Sequence, residues 1–535
     1  MALAIGSAPE LRSHRVARAM ATFGLLSMLS PLVGFMVEIG LAHYAGVSAA
    51  VDSYRATSTL LNLGTQLFFG ALTLGILIPL ITECNARGDL RAAWRLTLLF
   101  GMALSVLEVP LLYAAMAWPD TLVGILAPGL KGYALDDCQF QLRGFAITLV
   151  PMLWAGVFAA YLQANEIFWV TALSQSFNNV AVVAFLLVTR NASLSLVYGN
   201  VIGVSAMFTL HAIRVLRLPT TRAASDWAYC WQLVRRGLSM MVSPLAAMAP
   251  SLAATTIFLR ALSLGPRGTL AECGYAGKPL LVVTLVTGVF ASVVLPQMSQ
   301  ARFRDASAFE NLARRSLRFT LILVLPLTGI AFALRQPLIA TLFGSRLMSD
   351  ASLRRTATYF GVFLIGAPAT ALAAILSQVC SALYDTRGAA IGTVLTAVVA
   401  FALVPILASR FGPLGVVAVI GTSGWVVCLW LVTYIAVVHR LRVWNGMGLY
   451  ILKMIAFSGI AGVVSAAAYS LCNISAGGGQ YVSVVELFAS GVAAVATIWM
   501  LGSLLGLTEV NDIGAYLRWQ LTSVRSAGTE AQDNA

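Results

Sequence analysis

The chain has 535 residues, 59% of them hydrophobic and only 10% charged, with a mean hydropathy of +0.86 and a net charge of +13. About a quarter of the residues in a globular domain are charged, so this composition excludes a soluble fold and describes a polytopic membrane protein. The excess Lys and Arg is distributed over loops rather than along one basic face, which argues against nucleic acid as a partner.

Residues 1–18 form a basic tail with Arg12, Arg15 and Arg18, most simply a topology determinant. Apolar stretches of about 20 residues, each able to cross about 30 Å of hydrocarbon as a helix, begin near Ala19, Thr57, Ala92, Phe140, Phe168 and Leu194. They predict an N-terminal six-helix lobe over 19–213. The first stretch is longer than the apolar region of a signal peptide and lacks a cleavage site, so it is expected to stay in the mature chain. A polar, basic segment over 214–236 predicts a cytoplasmic linker. Further stretches near Leu238, Tyr275, Phe319, Tyr359, Ala389 and Leu414 predict a second six-helix lobe over 237–440. Two more, near Leu449 and Val482, predict a C-terminal helix pair over 441–508, followed by a cytoplasmic tail over 509–535. The fold class is therefore all-α integral membrane, with about 14 transmembrane helices.

The two lobes are related by an internal repeat of about 215 residues. Ser30-Pro31-Leu32 recurs as Ser243-Pro244-Leu245, Pro79 recurs as Pro296, and Ala181-Val182-Val183-Ala184-Phe185 recurs unchanged over Ala397 to Phe401. Transporters use such duplications to place a central site where the halves meet. The Lys and Arg bias puts both termini in the cytoplasm: Arg87, Arg91 and Arg95, Arg214 to Arg236, Arg302 to Arg318, and Arg440 with Arg442 all fall on that side.

Ionisable residues within or beside spans are costly and suggest function. Glu38 lies in the first span between Val37 and Ile39. Asp52 and Arg55 follow in a short extracytoplasmic connection, on one helical face if the second helix begins there. Lys278 opens the eighth span, and Arg260 and Glu272 flank the connection before it. The repeat brings these charges to one level, near the extracytoplasmic mouth of a central cleft. Glu38, Asp52, Arg55, Arg260 and Lys278 are the candidate substrate-binding residues, with Glu38 and Lys278 expected to pair; a cation there can hold a diphosphate by direct charge pairing. The plainer alternative is that Asp52, Arg55, Arg260 and Glu272 are solvated and that Lys278 snorkels to the interface.

Nothing points to catalysis. The seven cysteines are scattered, with no CxxC pair or Cys/His cluster. No phosphate-binding loop is present, and His14, His43, His211 and His439 sit near span ends as interface residues. The loop from Trp118 to Gln139 offers only Asp120, Asp136 and Asp137 with Lys131. The expectation is a non-enzymatic transporter without metal or cofactor.

Several short motifs, in order, resemble the MurJ/MviN lipid II flippase family. They run from Ser30-Pro31-Leu32-Val33-Gly34-Phe35, through Ala50-Val51-Asp52-Ser53-Tyr54 and Ile78-Pro79-Leu80-Ile81-Thr82-Glu83, to Tyr275-Ala276-Gly277-Lys278, Val294-Leu295-Pro296 and Ala382-Leu383-Tyr384-Asp385-Thr386-Arg387. The resemblance implies two six-helix lobes enclosing a V-shaped cavity and a C-terminal pair forming a lipid-facing groove. It also implies alternating-access transfer of a polyprenyl-diphosphate-linked glycan to the outer leaflet of the bacterial cytoplasmic membrane. Membrane lipids and enzymes of cell-wall or polysaccharide synthesis are the partners it suggests. The chain departs from the family where cavity cations are usual: Pro31, Val37, Thr65 and Gln66 stand at arginine positions, and Lys278 at another. Lipid II is the nearest substrate, with an exopolysaccharide precursor the alternative. A drug or cation antiporter using Glu38, or a non-transporting scaffold, are the further alternatives.

Overall fold

The structure, a computed structural model, describes residues 26, 29–64, 73, 75–218, 227–283, 306–475, 485–487 and 489–493, with single positions at 285, 287–288, 298, 301, 496 and 500. The two tails, Thr65 and Gln66, the Pro296 exit, Arg222, Arg302 and Arg304 lie outside the described residues, as does most of the last expected span. Among the described residues every regular element is a helix.

The first compact unit comprises the described part of Met1–Lys278 with Phe343–Ser352 and Ala397–Val416. It opens with α1 (Leu29–Tyr44), α2 (Ala49–Gly64) and α3 (Gly75–Ala86). There follow α4 (Leu90–Ala117), α5 (Pro119–Leu126), α6 (Tyr133–Ala164), α7 (Trp169–Thr189) and α8 (Ala192–Leu216). Turn chemistry explains the breaks. Gly88 at φ +74° reverses the chain, and the Asp89 carboxylate then caps α4 by accepting from the Ala92 amide at 2.8 Å. Between α7 and α8 the chain turns on Arg190 in the left-handed region, and Asn191 caps α8 through the Leu194 amide. Gly199 and Gly203 let α8 press onto the α7 backbone: a Cβ at either would run into Val182 or Asn178.

The segment 214–236, expected as a polar, basic linker, ends in a helix from Trp227 onward. It is α9 (Trp227–Met240), with Cys230, Leu233, Val234 and Gly237 buried on one side. Arg235 and Arg236 lie on its outward face, and its apolar stripe joins Phe100 of α4 and Leu80 of α3 in one core. Then come α10 (Val242–Ser263) and α11 (Thr269–Gly277), followed by a 3-10 turn over Lys278–Leu280.

The second unit comprises the described part of Pro279–Leu342, Leu353–Thr396 and Val417–Ala535. It draws on α12 (Ala306–Ala333), α13 (Arg335–Phe343), α14 (Asp350–Ala382), α15 (Arg387–Phe411), α16 (Pro413–Val438) and α17 (Gly448–Ser475). Its core gathers Leu317 and Leu321 of α12, Ile375 and Val379 of α14, Leu431 of α16 and Met454 of α17. Gly366 and Gly421 bring α14 and α16 into backbone contact. Nine of the described helices are long and apolar enough to cross a membrane. Large apolar side chains such as Val106, Leu107 and Val188 point outward as a lipid-facing surface requires.

Candidate substrate site

The site is built on α1, α2 and α11, all within the first unit. The Glu38 carboxylate on α1 is 1% exposed and carries two cations. Arg55, one-tenth exposed, grips it with both arms of its guanidinium: Nη1 donates to Oε1 at 2.9 Å and Nη2 donates to Oε2. Lys278 Nζ lies 2.7 Å from Oε1, and its side chain is 42% exposed. A forked Arg–carboxylate bond is both stronger and more directional than a single bond. The fork is therefore used up on Glu38, while the partly exposed Lys278 ammonium has three donors and spends one there. Two cations against one carboxylate leave the cluster at +1.

Aromatic rings close the inner side. The Arg55 guanidinium lies 5.4 Å from the Tyr54 ring centre and 5.2 Å from that of Tyr275, within cation–π range. Tyr275 is fully buried, donates its hydroxyl to the Gly46 carbonyl at 2.9 Å, and packs on Phe343. Gly274 leaves room for Arg55, because a Cβ there would collide with the guanidinium. Sequence reasoning missed these rings and this glycine, since only the fold reveals that they meet Arg55.

Asp52 and Arg55 share α2 as expected, yet Asp52 faces elsewhere. Its carboxylate accepts from the amides of Gly268 at 2.6 Å and Ala271 at 2.8 Å. It caps α11 from a neighbouring helix, meeting the unpaired amides and positive dipole end of that N-terminus. Gly268, at φ +89°, supplies the left-handed turn that aims those amides. Lys278 thus sits at the far end of a helix pinned by Asp52. The helix runs from Thr269 to Gly277, and Lys278 is both its C-cap and the first residue of the 3-10 turn that follows. Arg260 is not gathered into the cluster; it donates to the carbonyls of Gly124 at 3.4 Å and Ile125 at 2.6 Å, near the C-terminal end of α5. Glu272 is buried on α11.

Residues 41–489 match the family described as lipid II flippase MurJ. The chain belongs to that family. Two curated relatives carry the name probable lipid II flippase MurJ. One, from Treponema pallidum, is 23% identical over 443 residues, covering 76% of this chain and 80% of the relative. The other, from Rhizobium meliloti, is 24% identical over 429 residues, covering 77% and 79%. Among solved structures, a lipid II flippase MurJ in an inward closed conformation superposes with a TM-score of 0.70 at 15% identity, covering 90% of this chain and 99% of that one. An inward-facing MATE-family multidrug transporter of the MOP superfamily gives 0.62 at 13% identity, over 80% and 99%. Both show a shared fold. MurJ membership, together with nine helices among the described residues that are long and apolar enough to cross a membrane, makes this a multi-pass protein of the bacterial inner membrane.

Proposed function

We propose that this MurJ-family protein is a lipid II flippase, carrying the polyprenyl-diphosphate-linked glycan from the inner to the outer leaflet by alternating access, without making or breaking a covalent bond. The observation that carries the reading is the half-exposed Lys278 ammonium seated on a buried, doubly paired glutamate. In this account Lys278 binds the diphosphate as a point charge. Glu38 fixes its position, and Arg55 neutralises Glu38 so that the carboxylate does not repel the anion. Asp52 and Arg260 act on the frame: Asp52 anchors the helix that ends in Lys278, and Arg260 ties α10 to α5. The Arg and Lys bias supports cytoplasmic termini, which puts this cluster toward the extracytoplasmic end. Synthesis enzymes of the cell wall are the protein partners such a role calls for.

The test is complementation of a bacterium depleted of its own lipid II flippase, with the leaflet accessibility of lipid II measured in the same cells. The wild-type chain restores growth and outer-leaflet lipid II. Normal expression with no outer-leaflet lipid II would refute the assignment of this lipid.

A further inference from the structure

Two cations near the candidate site are spent on protein partners: Arg55 on Glu38, and Arg260 on the carbonyls at the end of α5. Two others are not. Lys131, in the turn between α5 and α6, and Arg267, in the turn between α10 and α11, are exposed, and among the described residues neither forms an ion pair or a side-chain hydrogen bond. Both border one cavity of about 280 Å³ within the first unit. One water occupies about 30 Å³ of liquid volume, so the cavity has room for a phosphate or a diphosphate.

The walls are set by close backbone contact. The Gly129 amide donates to Ser263 Oγ at 3.2 Å, and a Cβ on Gly129 would strike the Ser263 carbonyl, so glycine lets the two turns meet. Thr269 Oγ1 donates to the Pro266 carbonyl at 2.7 Å and braces the turn that carries Arg267. Walls fixed in advance leave less freedom to be lost when a ligand arrives.

The charge within the cavity is not balanced. Its remaining lining is mainly apolar, with Leu130, Leu262 and Leu270, and the acid that borders it is Asp52. Both Asp52 oxygens already accept from the Gly268 and Ala271 amides, at the positive end of the α11 dipole. Of the other acids near these turns, Asp120 bonds Gln139, while Asp136 and Glu272 do not line the cavity. Lys131 and Arg267 are left for an anion from outside the chain.

The level of the cavity says where that anion comes from. At 1.5 Å per residue the 32 residues of α6 extend about 48 Å, more than the roughly 40–45 Å of a bilayer with its headgroups. Both ends of α6 therefore reach the headgroup layer, where lipid phosphates lie. Tyr133, the first residue of α6 and 70% exposed, borders the cavity there. The fork of an Arg and the point charge of a Lys both bind phosphate. Arg267 precedes α11 and Lys278 follows it, and the nine residues of that helix hold the two about 14 Å apart.

We infer that Lys131 and Arg267 form a phosphate-binding subsite at the extracytoplasmic boundary, separate from Lys278, which takes the diphosphate of the lipid-linked cargo as it leaves. The subsite stands on the cavity and its two unmatched cations; that its occupant is the cargo rests on the flippase reading. A phospholipid headgroup or a free phosphate offers the same chemistry, and the experiment separates the three.

Native mass spectrometry of the full chain in detergent measures binding of undecaprenyl diphosphate, phosphatidylglycerol or pyrophosphate, all in a Lys278→Gln background so that the first site is silent. Adding Lys131→Gln and Arg267→Gln should weaken undecaprenyl diphosphate binding about tenfold. The exchange Lys131→Arg with Arg267→Lys should keep it, as should Arg346→Gln with Arg354→Gln, which removes as much charge from exposed positions elsewhere. A monodisperse peak confirms that each variant is folded. Equal binding with and without Lys131 and Arg267, an equal loss in the Arg346/Arg354 control, or no binding of any probe in the Lys278→Gln background overturns the subsite. A loss confined to phosphatidylglycerol or to pyrophosphate upholds a phosphate subsite and overturns the cargo as its occupant. Loss of undecaprenyl diphosphate binding in a protein whose wild type moves no lipid II upholds the subsite and refutes the flippase reading instead.

Discussion

Glu38→Gln removes the one negative charge that Arg55 and Lys278 share, and the two cations should respond differently. Arg55 is 10% exposed and loses its counter-charge and at least one bond of its fork, since an amide offers one acceptor where the carboxylate offered two. Stripping one partner from a buried pair costs about 3–5 kcal/mol, because the remaining charge stays buried and unpaired. Lys278 is 42% exposed and finds water, so its share is about 0–1 kcal/mol. The variant should therefore lose stability almost entirely through Arg55. The double variant Glu38→Gln/Arg55→Gln, with two neutral amides in place of the ion pair, should regain most of it. Lys278→Gln alone should be close to wild type. Thermal unfolding of detergent-purified protein, followed by size-exclusion of the surviving fold, measures all four. The reasoning fails if Glu38→Gln is as stable as wild type, or if the double variant is no better than the single.

Other positions give independent checks. Asp52→Ala should cost about 1–2 kcal/mol by unpairing amides at the start of α11, and the same thermal assay should show it. Gly366→Val should be still more damaging, since a Cβ there runs into the Gly421 carbonyl; loss of the monodisperse peak on extraction is the expected readout. At the α14–α15 turn, the Tyr434 hydroxyl at 2.7 Å, helped by the Arg387 amide and His439, holds the Asp385 carboxyl below the usual carboxylate range. A carboxyl depressed in the folded state contributes stability above its unfolded pKa of about 3.9 and loses it as pH falls through the folded value. Tyr434→Phe should therefore move the acid loss of stability to higher pH, as read from thermal unfolding across an acidic pH series.

Much of the fold was legible because hydrophobic length is a strong signal. Stretches read from near Ala92, Leu194, Ala389 and Leu414 fall within a few residues of the starts of α4, α8, α15 and α16. The amphipathic α9 was not legible, because a helix with one apolar stripe and a basic outer face has the composition of a loop. For the site, Glu38 and Lys278 could be paired from the repeat and from the cost of charge in a span, and their contact is present. The division of labour could not be read. Asp52 and Arg55 are three residues apart, yet one caps α11 and the other forks onto Glu38. Spacing gives a shared face but not which partner each side chain reaches. Lys131 was read as a loop residue and Arg267 was passed over, because only the fold brings their two turns around one cavity.

The central claim is that Lys278 binds the diphosphate of lipid II for transfer between leaflets. It is tested most directly by the rate of lipid II translocation in proteoliposomes containing wild type, Lys278→Gln or Lys278→Arg at matched protein content. The account predicts translocation by the wild type, its loss in the folded Lys278→Gln variant, and its retention in Lys278→Arg, where a cation is kept. Undiminished translocation in Lys278→Gln would contradict it.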